Sequence, residues 1–177
     1  MFFFDTYAII EIIKGNINYK KYSNKPFITT IYNLMELYYA LLRLYDENKA
    51  EKYFEFFRPA CVPVHDNTVK AAMKFRLIEM SEIATRNLPA SARSKRAISE
   101  HAQKHAPHSS KMQRIFECAQ KSKEISDISA GSVFDRKKGN LISYVDCIGY
   151  VVALEKNVLF LTGEKHFKEL KNVEFVR

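Results

Sequence analysis

Cysteine is scarce in this chain, and its three residues, Cys61, Cys118 and Cys147, are far apart and form no CxxC pair. That argues against a disulfide frame or a zinc cage and for free thiols in a reducing compartment. Long apolar runs are also missing. No stretch approaches the roughly 20 residues that a membrane span needs, and the opening Met-Phe-Phe-Phe-Asp meets a charge too early for a signal peptide. A cytoplasmic protein with no membrane partner is therefore expected. Acids are outnumbered: 20 Asp and Glu stand against 28 Lys and Arg, for a net charge of +8. An excess of that size makes a polyanion such as nucleic acid a natural substrate or partner, without identifying one.

What is present suffices for one domain over residues 1–177, with 47% hydrophobic residues to fill a core. Phe2-Phe3-Phe4 reads as a buried strand, and Asp5 stands at its C-terminal end, ahead of a helix over residues 7–13. Ligands of parallel sheets bind at strand C-termini, so Asp5 is well placed for chemistry; it is equally well placed to cap the helix. Residues 26–28 are extended, and Thr29 or Thr30 caps a helix that runs to about Tyr45. The spacing predicts an apolar face of Ile31, Leu34, Met35, Tyr38, Leu41, Leu42 and Tyr45. Asn33, Glu36, Ala40 and Arg43 lie opposite, where Glu36 faces either bulk water or a wet cleft. A helix over residues 46–57 buries Tyr53, Phe54 and Phe57, Cys61-Val62-Pro63-Val64 forms an edge strand, and Asp66 or Asn67 caps a helix over residues 68–80. Strands alternating with helices predict a mainly parallel α/β sheet.

Residues 81–137 differ in texture. They have few large apolar side chains, three of the five histidines, and eleven Lys and Arg against six Asp and Glu, a net of +5. Helical patches at residues 92–104 and 111–123 suggest an inserted basic hairpin. His101, His105 and His108 have a spacing that can serve a metal, but Pro107 disturbs the helix and no carboxylate or cysteine completes the set, so solvated histidines are the expected reading.

The densest information lies in residues 142–167, ISYVDCIGYVVALEKNVLFLTGEKHF. Asp146 is the one charge in an apolar run from Tyr144 to Leu154 that is long enough for about three helical turns. A carboxylate buried there needs a partner, and the run supplies none. Ser143-x-x-Asp146 also has the form of a capping box. Val158 to Leu161 reads as a buried strand that ends in Thr162-Gly163 with Glu164 behind, ahead of a short helix over residues 165–170 and a last strand over residues 173–176. Glu164 can equally be a first-turn acid favoured by the helix dipole.

Taken together, FFFDTY, ITTIYNLMELYYALL and SYVDCIGYVVALEKNVLFLTGEKHFKEL resemble, in order and context, the PIN-domain ribonucleases, and in particular the VapC-type toxins of toxin–antitoxin pairs. The resemblance covers residues 1–77 and 140–177. It implies a three-layer α/β/α fold with a central, mainly parallel sheet, and makes residues 81–137 an insertion. It implies Asp5, Glu36, Asp146 and Glu164 as the acidic cluster, with Thr6 and Thr162 as supporting hydroxyls. The activity implied is hydrolysis of RNA phosphodiesters with Mg²⁺ or Mn²⁺, an antitoxin and a second copy of the chain being the partners. Asp5 and Asp146 would contact the metal, Glu36 would ligate it or orient water, and Glu164 would act from an outer shell or a second metal. The family usually has Asp where this chain has Glu164, one methylene longer. A non-cleaving RNA- or protein-binding module and a housekeeping RNA-processing endonuclease are the alternatives.

Overall fold

The computed structural model describes residues 1–86 and 142–177. The chain divides into two compact units, residues 1–72 with 142–177 and residues 73–141. Of the second unit, the described part is the end of one helix; the expected insertion from Asn87 onward, its hairpin and its three histidines lie outside the described residues.

The first unit is an α/β fold around a four-stranded parallel sheet. Strands β1 (Phe2–Phe4), β2 (Phe27–Ile28), β3 (Leu159–Thr162) and β4 (Val173–Phe175) lie in the order β2-β1-β3-β4. Phe4 of β1 pairs with Leu161 of β3, and Leu161 with Glu174 of β4. Connections leave the central pair β1–β3 in opposite directions, which makes the gap beyond their C-terminal ends the topological switch point of the sheet.

Alternation along β1 distributes its three phenylalanines between two layers. On one face, Phe4 and Leu161 pack with Ala8 and Ile9 of α1 (Thr6–Ile13), with Leu34, Leu37 and Leu41 of α2 (Ile31–Leu44), and with Ala50 and Phe57 of α3 (Glu47–Phe57). On the other, Phe3 and Phe160 lie beneath α5 (Tyr144–Glu155), where Gly149 admits them: a Cβ there would lie 2.8 Å from the Phe3 ring. The result is helix, sheet, helix, the three-layer α/β/α arrangement expected from the sequence. An aromatic chain of Tyr150, Phe160 and Phe167 secures the β3 end of that second layer.

Four local expectations need correction. The buried face of α2 comprises Asn33, Leu34, Leu37 and Leu41, whereas Ile31, Met35, Leu42 and Tyr45 are exposed. The helix is apolar around most of its circumference, so periodicity alone misjudges which side faces the sheet. The expected strand over residues 61–64 is a single parallel bridge, Thr29 with Cys61, because Pro63 has no N–H to extend the ladder. Helix α4 runs from Asp66 to Arg86, past the expected end near residue 80, and its first helical bond is accepted by the carbonyl of His65. The closing helix is one 3-10 turn, Lys165–Phe167.

Candidate active site

Asp5 immediately follows β1, and its backbone N–H donates to the carbonyl of Leu161 at 3.2 Å, extending the β1–β3 pairing by one step. Asp5 occupies the N-cap position of α1, yet its side chain makes no capping bond. The capping reading of this acid therefore fails. Its Oδ2 instead accepts a 2.6 Å hydrogen bond from the Thr162 hydroxyl at the end of β3, while its Oδ1 is buried with no hydrogen-bond partner.

Asp146 meets Asp5 at this point. It sits in the first turn of α5, whose N-cap is Ser143. Ser143 Oγ accepts from the Val145 N–H at 3.1 Å, one residue short of the Asp146 amide that a capping box would use, and it donates to Glu36 Oε1 at 3.2 Å. Ser143 thus joins the start of α5 to the middle of α2. The side chain of Asp146 is left to the interior, where the charge of Asp5 bears on it.

Glu36 is reached from a third direction. Thr6, the first residue of α1, donates to Glu36 Oε2 at 3.0 Å and accepts from Asn33 Nδ2 at 3.2 Å. Asn33 in turn accepts from the Thr30 hydroxyl at 2.6 Å. The side-chain donors of this string lead from Thr30 through Asn33 and Thr6 to Glu36, a carboxylate whose two oxygens are each held by a hydroxyl. Glu164 follows β3; its N–H donates to Thr162 Oγ1 at 3.0 Å, and its Oε1 lies 2.8 Å from His166 Nδ1.

The electrostatics follow from the crowding. Burial, first of all, raises Asp5 to about 6 despite the lowering hydrogen bond from Thr162. Burial followed by the charges of Asp5 and Glu36 raises Asp146 to about 9, with Glu164 adding to the effect. The charges of Asp5, Glu36 and Glu164 thus all bear on Asp146, while Thr162 and Thr6 are bonded to Asp5 and Glu36. Two further members, Asn33 and Ser143, appear in the sequence as a polar residue on the Glu36 stripe and as a simple cap. The signal for Asn33 was its position one turn before Glu36 on the same helical face.

Among the described residues, no three His, Cys, Asp or Glu side chains are gathered closely enough to hold an ion by themselves. The donor chemistry nevertheless fits a small hard cation. Mg²⁺ keeps several waters and takes one or two carboxylates, and here a buried carboxylate oxygen without a partner lies beside a second acid. The ordered hydroxyls of Thr162, Thr6 and Ser143 hold Asp5 and Glu36 in place.

No family model matches the sequence, and no curated protein does. Among solved structures, the chain is similar to one described as a toxin-antitoxin complex from Klebsiella pneumoniae, with a TM-score of 0.55 and 10% sequence identity over 98% of this chain and 96% of that chain. At that identity the likeness concerns the fold.

Proposed function

We propose that the protein is a metal-dependent endoribonuclease of the PIN type and the toxin of a VapBC-like toxin–antitoxin pair, active in the cytoplasm. The observation that carries this reading is the Asp5–Asp146 pair at the sheet's switch point, one oxygen of Asp5 being buried and unpartnered. Asp5 and Asp146 would hold Mg²⁺ or Mn²⁺. When bound, the ion supplies charge relief to the phosphodiester transition state and lowers the pKa of an attacking water. Thr162 fixes the orientation of Asp5, and the Thr6 and Ser143 hydroxyls fix Glu36 where it can ligate or orient water. The net charge of +8 favours an RNA backbone as substrate. The fold-level likeness to a protein of a toxin–antitoxin complex supports an antitoxin as partner, and a homodimer belongs to the same reading.

The test is cleavage of structured RNA with and without Mg²⁺ or Mn²⁺, using the wild-type chain, Asp5→Asn and Asp146→Asn. Both variants should retain the fold by circular dichroism and lose metal-dependent cleavage. Full cleavage by both would overturn the assignment, whereas tight RNA binding without cleavage by the wild-type chain would favour a non-cleaving module.

A further inference from the structure

The acid that departs from the family pattern is also the one with a partner of its own. We infer that His166 is a positioning residue for Glu164, holding its longer side chain toward the Asp5–Asp146 pair; the inference rests on reading that pair as a metal-dependent site.

The backbone of Glu164 is fixed at both ends of the turn. Its N–H donates to Thr162 Oγ1 at 3.0 Å, and its carbonyl accepts from the Phe167 N–H at 3.1 Å. Phe167 is fully buried against Phe160 and Tyr150, so this turn is anchored in the core rather than on a free loop. What the backbone leaves open is the side chain. A glutamate has three rotatable bonds, and holding it in one rotamer costs conformational entropy. An aspartate at the same place would have one bond fewer to fix.

His166 supplies the missing constraint. Its Nδ1 lies 2.8 Å from Glu164 Oε1, and the imidazole is the more buried partner, 19% exposed against 42% for the acid. The fixed element is therefore the ring and the held element the carboxylate. Among the described residues the side-chain partner of Glu164 is His166 and not the adjacent Lys165. A carboxylate only accepts, so the ring must present Nδ1–H to it. The Thr162 hydroxyl that accepts from the Glu164 N–H also donates to Asp5 Oδ2, so the residue His166 holds stands next to the acid pair.

Two measurements on the full-length chain test this. The first needs no metal. Long-range ¹H–¹⁵N correlation should find His166 protonated at Nδ1 in the wild-type chain, with a shift to the other nitrogen in Glu164→Ala. An Nδ1 signal indifferent to Glu164→Ala overturns the inference. The second is Mn²⁺ binding by calorimetry. By analogy with other outer partners of metal ligands, His166→Ala should weaken Mn²⁺ by about 10-fold. His166→Asn, whose amide Nδ2 can stand where Nδ1 was, should restore the affinity at an unchanged melting temperature. Equal losses in the two variants overturn the inference, because they point to lost ring packing. Wild-type binding by His166→Ala alongside lost binding by Asp5→Asn overturns it too while the metal reading stands. Wild-type binding by Asp5→Asn overturns the metal reading and the inference with it.

Discussion

Asp5 and Thr162, 157 residues apart in the chain, are joined by a 2.6 Å hydrogen bond across the C-terminal ends of the two central strands. The bond explains why Asp5 stands at the head of a helix without capping it. Thr162 in turn accepts from the N–H of Glu164. One hydroxyl therefore sets the acid that follows β1 and the backbone of the acid that follows β3.

Replacing Thr162 with Val keeps the shape and removes this donor. A buried acceptor left unsatisfied costs about 1–3 kcal/mol, so urea unfolding of the metal-free variant should show a loss in that range. The same bond lowers the pKa of Asp5, which burial has raised to about 6. In Thr162→Val the carboxyl should move higher still, a change that a ¹³C carboxyl titration would detect. A variant with wild-type stability and an unmoved Asp5 would show that the bond is unimportant.

Asp5 and Asp146 both bind protons more tightly in the folded than in the unfolded chain, since their values rise from 3.8 to about 6 and about 9. The folded state therefore carries the extra protons, and stability from these groups is fully present below about pH 4. It is lost as the pH rises toward 9. Metal-free protein should unfold at lower urea at pH 8 than at pH 5, and Asp146→Asn should flatten that slope. Mn²⁺ should restore the stability at pH 8 and should displace protons as it binds near pH 7, seen as a buffer-dependent heat in calorimetry. A rise in stability from pH 5 to pH 8 in the metal-free chain would contradict the burial of this pair.

Asn33 is fully buried and links Thr30 to Thr6, and through Thr6 to Glu36. Asn33→Leu keeps the branch at Cγ but is larger, so it crowds a filled position and takes the amide away from the Thr30 and Thr6 hydroxyls. The expected loss is about 1–3 kcal/mol, together with weaker metal-dependent cleavage, because Thr6 is no longer held as a donor to Glu36. Asn33→Asp should do better in stability at low pH than at high pH, since a charge there would face Glu36. Cleavage equal to wild type in Asn33→Leu would separate the string from the site.

What the sequence disclosed and what it hid have physical causes. The strands and helix that hold Asp5, Asp146 and Glu164 were legible because residues 2–4 and 158–161 are short apolar runs with polar stops, and α5 has a single charge in an apolar stretch. The orientation of α2 was not legible, because Met35, Tyr39 and Leu42 are as apolar as the leucines that face the sheet. Buried polar links were hidden for another reason: Asn33, Ser143 and His166 acquire their meaning from partners 27, 107 and 2 residues away, and only the last is local. Asp5 shows the limit from the other side. A residue in cap position and a residue in a site look the same until the side chain's partner is known.

Gly149 couples the packing of α5 to the position of Asp146. The two residues are one turn apart on the same helical face, and a Cβ at Gly149 would lie 2.8 and 3.0 Å from Phe3 ring carbons and 3.2 Å from the Phe160 ring. Both phenylalanines are fully buried, so neither ring can swing out to make room. Gly149→Ala gains about 1 kcal/mol of helix propensity, but overpacking a filled core typically costs about 1–3 kcal/mol. The helix should lift from the sheet and carry Asp146 away from Asp5. The expected result is a modest loss of stability with a disproportionate loss of Mn²⁺ affinity, and a fall in the Asp146 pKa as the charge of Asp5 recedes. Trimming the opposing ring tests the cause: Phe3→Leu with Gly149→Ala should recover part of both losses, with a coupling energy of about 0.5–3 kcal/mol. If the double variant shows simple additivity, the close approach of Gly149 to Phe3 does not set the position of Asp146.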